Sequence, residues 1–458
     1  FYRVIGSFDV PDHETAVIEA EWRAVEGSRY FGTPALYKEN GFKEHRTAEE
    51  LIRFLSADPM EGTLIALDKK KETKNPPLLY NLAEIQNDCS KMFKISPDET
   101  LKIIQELYEK KLVTYPRTDA RVLSTAVAKE IYRNIGGLRN FGPLADFAAK
   151  ALDSGTWKMI ARTKYVNDKQ ITDHYAIIPT GQGFGALRSL NPLAAKVYEL
   201  IGRRFLSIFY PPAVYQKFSL RIEKQGEQFF AAYKVLAEAG YLEVANVPSK
   251  KKMENSGNSR GENSGAGQET QAEELDPGHD EKAKNLLAML SGLKKGQKLK
   301  LLKFDIKEGE TSPPKRYTSG SMILAMENAG QLIDDEDLRA QIKGSGIGTS
   351  ATRAEILKKL FNIKYLALAK KTQVITPTLL GEIVFDVCQA SMRQLLNPEL
   401  TASWEKGLTY VAEGTITPDE YMEKLERFVT LRTNGVKQMN NAYMLRPYFD
   451  AAAQFYKK

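Results

Sequence analysis

Apolar and polar positions alternate over short stretches in the first 75 residues, a spacing typical of half-buried β-strands. β-branched and aromatic residues predict strands over residues 1–10, 15–20 and 63–69, and an apolar face at residues 51–55 predicts an intervening helix. The alternation returns after residue 212. These patterns predict one β-rich domain assembled from two separated segments of chain.

Between these two segments the apolar spacing becomes helical. Ser96 can cap a helix N-terminus, Pro97 suits the first helical position, and acidic residues follow in the first turn. An apolar stripe continues at Leu101, Ile104, Leu107 and Tyr108. Two lysines end the predicted helix, and the chain then turns directly into Tyr115. We therefore expect Tyr115 to lie just beyond a well-anchored helix.

The patterns predict a multidomain protein of mixed α and β structure. A β-rich domain takes residues 1–75 and 215–312, a helical domain takes 76–214, and a mostly helical domain takes 313–458. Proline pairs near both junctions of the helical segment are candidate hinges.

Two stretches near the end of the β-rich domain have distinct predictions. Residues 250–279 contain almost no apolar side chains, which predicts a disordered loop. Residues 292–308 are again strand-like and predict a closing hairpin.

Composition indicates an ordinary soluble protein, since 42% of the 458 residues are hydrophobic and 27% are charged. No apolar run approaches the ~18 residues that a membrane helix needs. Cys89 and Cys388 lie too far apart in sequence to predict a zinc ribbon or a disulfide framework. A cytoplasmic protein that does not cross a membrane is the expectation.

The positive charge is concentrated in one segment. Residues 85–214 hold 19 basic and 12 acidic side chains, an excess equal to the net +7 of the whole chain. Arg203 and Arg204 predict a basic patch on a helix over residues 193–209. Such an excess favours contact with a polyanion, although a solvated lysine-rich surface is also compatible with it.

Residues 112–121, Leu-Val-Thr-Tyr-Pro-Arg-Thr-Asp-Ala-Arg, crowd charged and polar groups around one phenol. A phenol has a pKa near ~10 and needs cationic help to attack phosphorus near neutral pH. Arg117 can reach the same pocket as Tyr115 if the segment is extended, and a guanidinium can grip phosphate oxygens. Most of the 21 tyrosines are expected to be packing residues. This neighbourhood makes Tyr115 a candidate nucleophile toward a phosphodiester.

Two further features could contact a phosphate backbone. His174, one of four histidines, follows Asp173 and could bind a phosphate or relay a proton near neutral pH. The glycine-rich residues 344–350 enter a helix predicted over residues 351–360, and such a turn can present N–H groups to an anion. Each feature alone is equally compatible with a structural histidine or a plain loop.

The Tyr115 segment resembles the active-site signature of type IA DNA topoisomerases, and it is most similar to the topoisomerase III branch. Tyr175 and Ser350 depart from residues that are common in the family. The resemblance keeps the family's order and approximate spacing at residues 114–121 and in four other stretches: 173–180 (Asp-His-Tyr-Ala-Ile-Ile-Pro-Thr), 205–215 (Phe-Leu-Ser-Ile-Phe-Tyr-Pro-Pro-Ala-Val-Tyr), 313–318 (Pro-Pro-Lys-Arg-Tyr-Thr) and 346–355 (Gly-Ile-Gly-Thr-Ser-Ala-Thr-Arg-Ala-Glu).

This resemblance implies the toroidal body of a type IA topoisomerase. It would comprise a β-rich arch, a winged-helix (CAP-like) helical domain with the catalytic tyrosine, and a helical C-terminal domain. The implied reaction is ATP-independent cleavage of one DNA strand through a 5′-phosphotyrosine, strand passage and religation. Tyr115 would be the nucleophile, Arg117 would stabilise the phosphoryl charge, and His174 would assist at the backbone. The implied DNA-binding positions are Thr118, Asp119, Arg121, Thr349, Thr352 and Arg353.

In this family an acidic Mg²⁺-binding domain of Toprim fold precedes the segment with which this chain begins. The resemblance therefore implies Mg²⁺ in the full-length enzyme, with ligands in the Toprim domain and no metal site in these residues. Residues 58–63 lack two acids of the family's metal motif and indicate a turn from helix to strand. We expect the chain alone to lack full activity.

The implied partners are single-stranded DNA and a RecQ-type helicase, and the implied state is a monomer. The main alternative is a non-catalytic arch or scaffold that binds single-stranded DNA. It is less favoured, because a binding module does not need to combine Tyr115, Arg117 and His174. A tyrosine recombinase would need its tyrosine near the C-terminus, and a replication initiator would need paired metal-binding histidines; neither pattern is present.

Overall fold

The chain forms two compact units in a computed structural model. The first unit combines Phe1–Pro76 with Tyr210–Pro314, and the second combines Pro77–Phe209 with Lys315–Lys458. Segments 76–214 and 313–458, which the sequence patterns separated, thus contribute to one unit. The structure describes residues 1–10, 17–245, 273–275, 281–333, 336, 346–440 and 442–456.

The first unit is built mainly from strands. Its strands are β1 (Tyr2–Asp9), β2 (Val17–Arg23), β3 (Leu36–Lys38), β4 (Gly41–Phe42), β5 (Glu61–Lys74), β6 (Ala213–Lys224), β7 (Glu227–Glu238), β8 (Glu273–Leu275) and β9 (Lys298–Glu308). Its helices are α1 (His45–Leu55), α7 (Leu242–Ala245) and α8 (Glu281–Gly292).

Six antiparallel strands pair in a closed circuit in the order β1-β2-β7-β6-β5-β9, with β9 returning to β1. Closure leaves these strands without a free edge. Gln225 and Gly226 connect β6 to β7, and both have positive φ. This geometry is typical of a two-residue turn that follows the twist of its strands. Strands from both chain segments thus take part in one circuit.

The circuit encloses an aromatic core. Trp22 stacks on Phe42 with ring centroids 4.8 Å apart, and Phe8 meets Phe229 edge-on at 5.6 Å. Gly62 faces Phe8 so closely that a Cβ would lie 2.8 Å from its ring, so a larger residue does not fit there.

A buried carboxylate is tied into this core. Trp22 donates from Nε1 to Oε2 of Glu227 at 2.7 Å, and the backbone N–H of Arg29 donates to Oε1 at 2.8 Å. Glu227 is only 2% exposed, so both donors replace the water that its carboxylate loses on folding.

The hairpin predicted over residues 292–308 is wrong. α8 ends at Gly292, and β9 pairs instead with β1 and β5, which come from the start of the chain. A local apolar pattern indicates a strand but not a partner so distant in sequence. Of the loop predicted over residues 250–279, the structure describes only residues 273–275, which pair in parallel with β7; the rest lies outside the described residues.

The second unit is mainly helical. Its helices are α2 (Leu82–Phe93), α3 (Pro97–Glu109), α4 (Thr125–Gly137), α5 (Gly142–Asp153), α6 (Pro192–Ser207), α9 (Ser319–Glu327), α10 (Arg353–Asn362), α11 (Leu379–Ser391), α12 (Pro398–Ala412), α13 (Pro418–Lys437) and α14 (Arg446–Gln454), with a strand pair β10 (Leu366–Ala369) and β11 (Val374–Pro377). Short 3₁₀ segments lie at Leu138–Asn140, Thr156–Arg162, Asp168–Gln170, Phe184–Ser189, Ala329–Leu332, Arg393–Leu396 and Ala442–Leu445. None of the helices in the described part of the chain is long and apolar enough to span a membrane.

The predicted helix before Tyr115 is confirmed as α3. The Ser96 side chain accepts from the backbone N–H of Glu99, and Pro97 occupies the first turn. At its other end Lys111 has φ 61°, and the next residue, Leu112, donates from its backbone N–H to the carbonyl of Leu107. This left-handed residue reverses the chain into the Tyr115 segment.

The basic patch predicted at Arg203 and Arg204 is wrong. Arg203 is 5% exposed and pairs with Glu199. Arg204 pairs with Asp88 at 2.9 Å and lies over the Tyr80 ring. Both guanidiniums therefore serve packing within the second unit, each together with one acidic partner.

We predict that Trp22→Phe lowers the free energy of unfolding of the first unit by about 2–4 kcal/mol. The substitution keeps a buried ring but removes the N–H that the Glu227 carboxylate accepts from. Urea unfolding followed by circular dichroism measures the change. Tyr37→Phe, which removes a polar group from an exposed ring, should change it by less than about 0.5 kcal/mol. Equal effects of the two substitutions would contradict the assignment.

Candidate functional site

Backbone hydrogen bonds join the Tyr115 segment to the His174 segment. Thr114 donates to the carbonyl of Ile178 at 3.0 Å, and Thr180 donates to the carbonyl of Leu112 at 2.9 Å. The Thr114 hydroxyl donates to the carbonyl of Ala176 and accepts from the N–H of Ile178. This pairing joins residues more than 60 positions apart and brings the two segments side by side.

Tyr115 lies between two other rings. Its ring centroid is 4.3 Å from that of His174, with a tilt of 39°, and 5.5 Å from that of Tyr108, which meets it edge-on. Tyr115 is partly exposed, and His174 is exposed. The tilted contact sets the imidazole and the phenol ring side by side, and neither residue is buried.

Three predicted catalytic groups are unengaged. The hydroxyl of Tyr115, the guanidinium of Arg117 and the imidazole of His174 make no hydrogen bond or ion pair with any residue that the structure describes. Arg117 is also exposed. Free donors beside a phenol provide what an incoming phosphodiester needs. Their catalytic roles stay predictions.

Two neighbouring polar residues are occupied by internal contacts. Thr118 is 4% exposed, and its hydroxyl donates to the carbonyl of His174 at 2.9 Å. Arg121 pairs with Glu84 at 2.7 Å and donates to the carbonyl of Leu79. These contacts hold the segment in place, and the DNA-binding roles of both residues stay predictions.

Asp119 belongs to a charged network. Its Oδ1 accepts from Arg353 at 2.9 Å, and its carbonyl accepts from the Asn81 side chain at 3.1 Å. Asn81 also donates to Glu327 at 2.6 Å and caps α2 by accepting from the N–H of Glu84. The network therefore ties the Tyr115 segment to the starts of α2 and α10 and to the end of α9.

Glu327 is the member of this network whose carboxyl pKa is raised. Burial raises the pKa of its carboxyl above the ordinary value, and the nearby Arg353 cation only partly opposes that shift. A hydrogen bond from Asn81 acts in the same direction as Arg353. Burial therefore disfavours the charged carboxylate more than the neighbouring groups stabilise it.

The glycine-rich turn leads into α10. Gly346 and Gly348 have positive φ, which suits glycine. Thr349 and Thr352 are exposed, and the Thr352 hydroxyl accepts from the N–H of Thr349 at 2.9 Å. The helix begins at Arg353, two residues later than predicted, because this side-chain bond completes the turn first. The phosphate-binding roles of both threonines stay predictions.

Three acids that contact the Tyr115 segment or its partners are poor ligands for magnesium. Asp119 is paired with Arg353, Glu84 with Arg121, and Glu327 with Asn81, so each is committed to a nitrogen donor. Mg²⁺ needs oxygen ligands free to coordinate it. In the described part of the chain, no three His, Cys, Asp or Glu side chains form a group that could hold a metal ion.

Sequence reasoning missed two members of this site, Asn81 and Glu327. Asn81 carried a readable signal, since Asn followed three residues later by Glu84 before an apolar run indicates a helix start. Glu327 carried none, because its importance depends on burial beside Asn81 and Arg353. The family resemblance implied a DNA-binding role for Arg353, and the structure shows its side chain to be 1% exposed.

Comparison with known proteins identifies the family. A sequence model described as DNA topoisomerase matches residues 14–423. DNA topoisomerase 3 of Bacillus licheniformis is 30% identical over 419 residues, which cover 90% of this chain and 52% of that protein. DNA topoisomerase 3 of Bacillus subtilis is 29% identical over 439 residues, covering 93% and 55%. The chain thus spans about half the length of the curated relatives it matches.

A solved structure shares the fold. The full-length topoisomerase I of Thermotoga maritima matches with a TM-score of 0.60 over 94% of this chain and 58% of that one. Sequence identity is 21%, so this likeness shows the fold alone. It supports the mixed α and β class with a large antiparallel sheet.

We predict that Glu327→Gln makes the free energy of unfolding less sensitive to a rise in pH above the ordinary carboxyl pKa. The folded pKa of Glu327 is raised, so the folded state binds the extra proton and wild-type stability falls as pH rises from the ordinary carboxyl pKa through the raised one. Glutamine keeps an acceptor for Asn81 and cannot ionise. The melting temperature of the variant minus that of the wild type should therefore be larger near pH 8 than near pH 5.

Calorimetry across that range measures the difference. Glu423→Gln, at an exposed position of α13, serves as the control and should show no such trend. A Glu327→Gln difference that is flat, or larger at acid pH, would count against the assignment.

Proposed function

The chain belongs to the type IA DNA topoisomerases, close to topoisomerase III, and we propose that it carries the nucleophile for ATP-independent cleavage and religation of one DNA strand. The supporting observation is the ring contact of Tyr115 with His174 at 4.3 Å, set by the backbone pairing of their two segments, with Arg117 exposed two residues further on. A structural tyrosine would be expected to bury its ring and satisfy its hydroxyl.

In the proposed reaction the Tyr115 phenol oxygen attacks phosphorus and the 3′-oxygen leaves. One P–O bond forms and one breaks, which gives a 5′-phosphotyrosine, and the proton lost by the phenol equals the one gained by the leaving oxygen. Attack by the 3′-hydroxyl reverses each step. The bond energy is thus retained, so no nucleotide hydrolysis is required.

Arg117 and His174 supply the charge that this reaction needs. The exposed guanidinium of Arg117 is free to grip the phosphoryl oxygens as negative charge builds up on them. The His174 ring centroid lies 4.3 Å from that of the phenol, which places the imidazole where it could bind the adjoining phosphate. We assign it to the DNA backbone rather than to proton abstraction from Tyr115.

We further propose that the Mg²⁺ of the reaction is held by an acidic domain outside these 458 residues, because the carboxylates beside Tyr115 are committed to nitrogen donors. The ion would neutralise phosphate charge near the break. Single-stranded DNA is the proposed substrate. A RecQ-type helicase partner and a monomeric state rest on the family alone. Two free cysteines agree with a cytoplasmic location.

We predict that, in the longer protein joined to its acidic domain, Tyr115→Phe abolishes covalent trapping of single-stranded DNA. The substitution removes the attacking oxygen and keeps the ring, so DNA affinity should change less than about tenfold. Denaturing gels measure trapping, and fluorescence anisotropy measures affinity. Tyr108→Phe, a neighbouring ring that loses the same hydroxyl, should keep trapping. Persistent trapping by Tyr115→Phe would refute the nucleophile, and a protein that binds but never traps would support the scaffold alternative.

We predict that these 458 residues alone bind single-stranded DNA with strong salt dependence and neither cleave nor relax it efficiently. Each phosphate contact should contribute about 0.7 to the slope of log affinity against log salt concentration. Anisotropy titrations give the slope, and a plasmid assay with Mg²⁺ gives activity. Robust Mg²⁺-dependent relaxation of negatively supercoiled plasmid would overturn the proposed division of labour.

A further inference from the structure

Arg353 is among the largest fully buried side chains of the described residues, with 1% exposure. It is the first residue of α10, at the end of the glycine-rich turn. A guanidinium is almost never buried unless paired, because removing its charge from water is costly. Its location inside the second unit separates it from the neighbouring Thr349 and Thr352, which are exposed.

The contacts of Arg353 lead to the Tyr115 segment. Its Nη1 donates to Oδ1 of Asp119 at 2.9 Å, and its Nε donates to the carbonyl of Ile347 at 3.3 Å. The Asp119 side chain is 39% exposed, so only the arginine of this ion pair is fully buried. To grip a phosphate, Arg353 would have to break both contacts and leave the interior.

The pair completes the anchoring of the nucleophile. Backbone hydrogen bonds to residues 176–180 hold the part of the segment that precedes Tyr115. Contacts of Thr118 and Asp119 hold the part that follows it. The N–H of Leu82 donates to the carbonyl of Thr118 at 3.1 Å, and the Asn81 side chain donates to that of Asp119. Arg353 is the contact that ties this second side of the segment to the start of α10.

We propose that Arg353 is a positioning residue, which fixes the Tyr115 segment through Asp119 and does not bind DNA phosphate. The proposal rests on the function proposed above, since it assumes that the position of Tyr115 matters. It also changes the role expected of the glycine-rich turn. The exposed Thr349 and Thr352 remain candidates for DNA contact, whereas Arg353 lies in the interior.

The first test reports the site without DNA. With only four histidines in the chain, carbon-13 labelling of histidine gives few ring signals, and His174→Gln assigns the one of interest. That signal senses the Tyr115 ring 4.3 Å away. Arg353→Met should shift it toward the value seen in Tyr115→Leu. The His45 signal should not move, and Arg117→Met should leave both signals unchanged.

The second test separates positioning from phosphate binding. Affinity for a fluorescent oligothymidylate is measured over a range of salt concentrations. Arg117→Met should reduce the slope of log affinity by about 0.7, the loss of one phosphate contact on a single strand. Arg353→Met should leave the slope unchanged. A slope reduced by about 0.7 with an unmoved His174 signal would overturn the proposal.

A second variant covers the case in which Arg353→Met does not fold. Asp119→Ala removes the carboxylate that accepts from Arg353, at a position that is partly exposed. It should produce the same shift of the His174 signal, and an unmoved signal would refute the proposal. Both readouts are independent of covalent chemistry. They would stand if Tyr115→Phe still trapped DNA, so failure of the proposed function is distinguishable from failure of this inference.

Discussion

The pairing of residues 112–114 with residues 176–180 is the constraint on which the candidate site depends. Neither segment is part of a regular sheet, so only a few backbone bonds and the Thr114 hydroxyl define their register. A slip of one residue would turn Tyr115 away from His174, because neighbouring residues of an extended chain point to opposite sides. The helix α3 and the left-handed Lys111 deliver the first segment at a fixed angle. Local chain geometry thus sets the distance between two groups that lie far apart in sequence.

Around this pairing the charges divide into two classes. Arg121, Arg203, Arg204 and Arg353 are all paired with carboxylates inside the second unit. Arg117 is exposed and makes no pairing with a described residue. The excess of +7 over residues 85–214 is unchanged by these pairs, because three arginines and three acids of that segment leave the count together. What matters for recognition is which cations keep a solvated face, since a buried pair has already given up its long-range field.

Sequence reasoning located many parts of the site, and the roles that it assigned to them stay predictions. The Ser96–Pro97 start, the turn into Tyr115 and the β-rich segments followed from spacing and local propensity, which act over a few residues. Arg353 pairs with a residue 234 positions away, and β9 pairs with the first strand of the chain, so neither contact leaves a local pattern. Motif reasoning assigned Arg353 to DNA because it considered residue type and order. Burial, which sequence order does not reveal, separates an arginine that binds a ligand from one that holds a loop.

Stability alone does not explain why the ion pair of Arg353 and Asp119 lies beside a candidate nucleophile, but the directionality of the pair does. Replacing such pairs with apolar residues is often neutral or stabilising, so Arg353 and Asp119 are weak evidence for a more stable fold. A hydrogen-bonded pair does impose direction, because a guanidinium and a carboxylate meet in a narrow range of geometries. Apolar packing would hold the Tyr115 segment just as firmly but in several nearby positions. Reversible attack on phosphorus needs one position, reached again after each religation, and a directional contact supplies it.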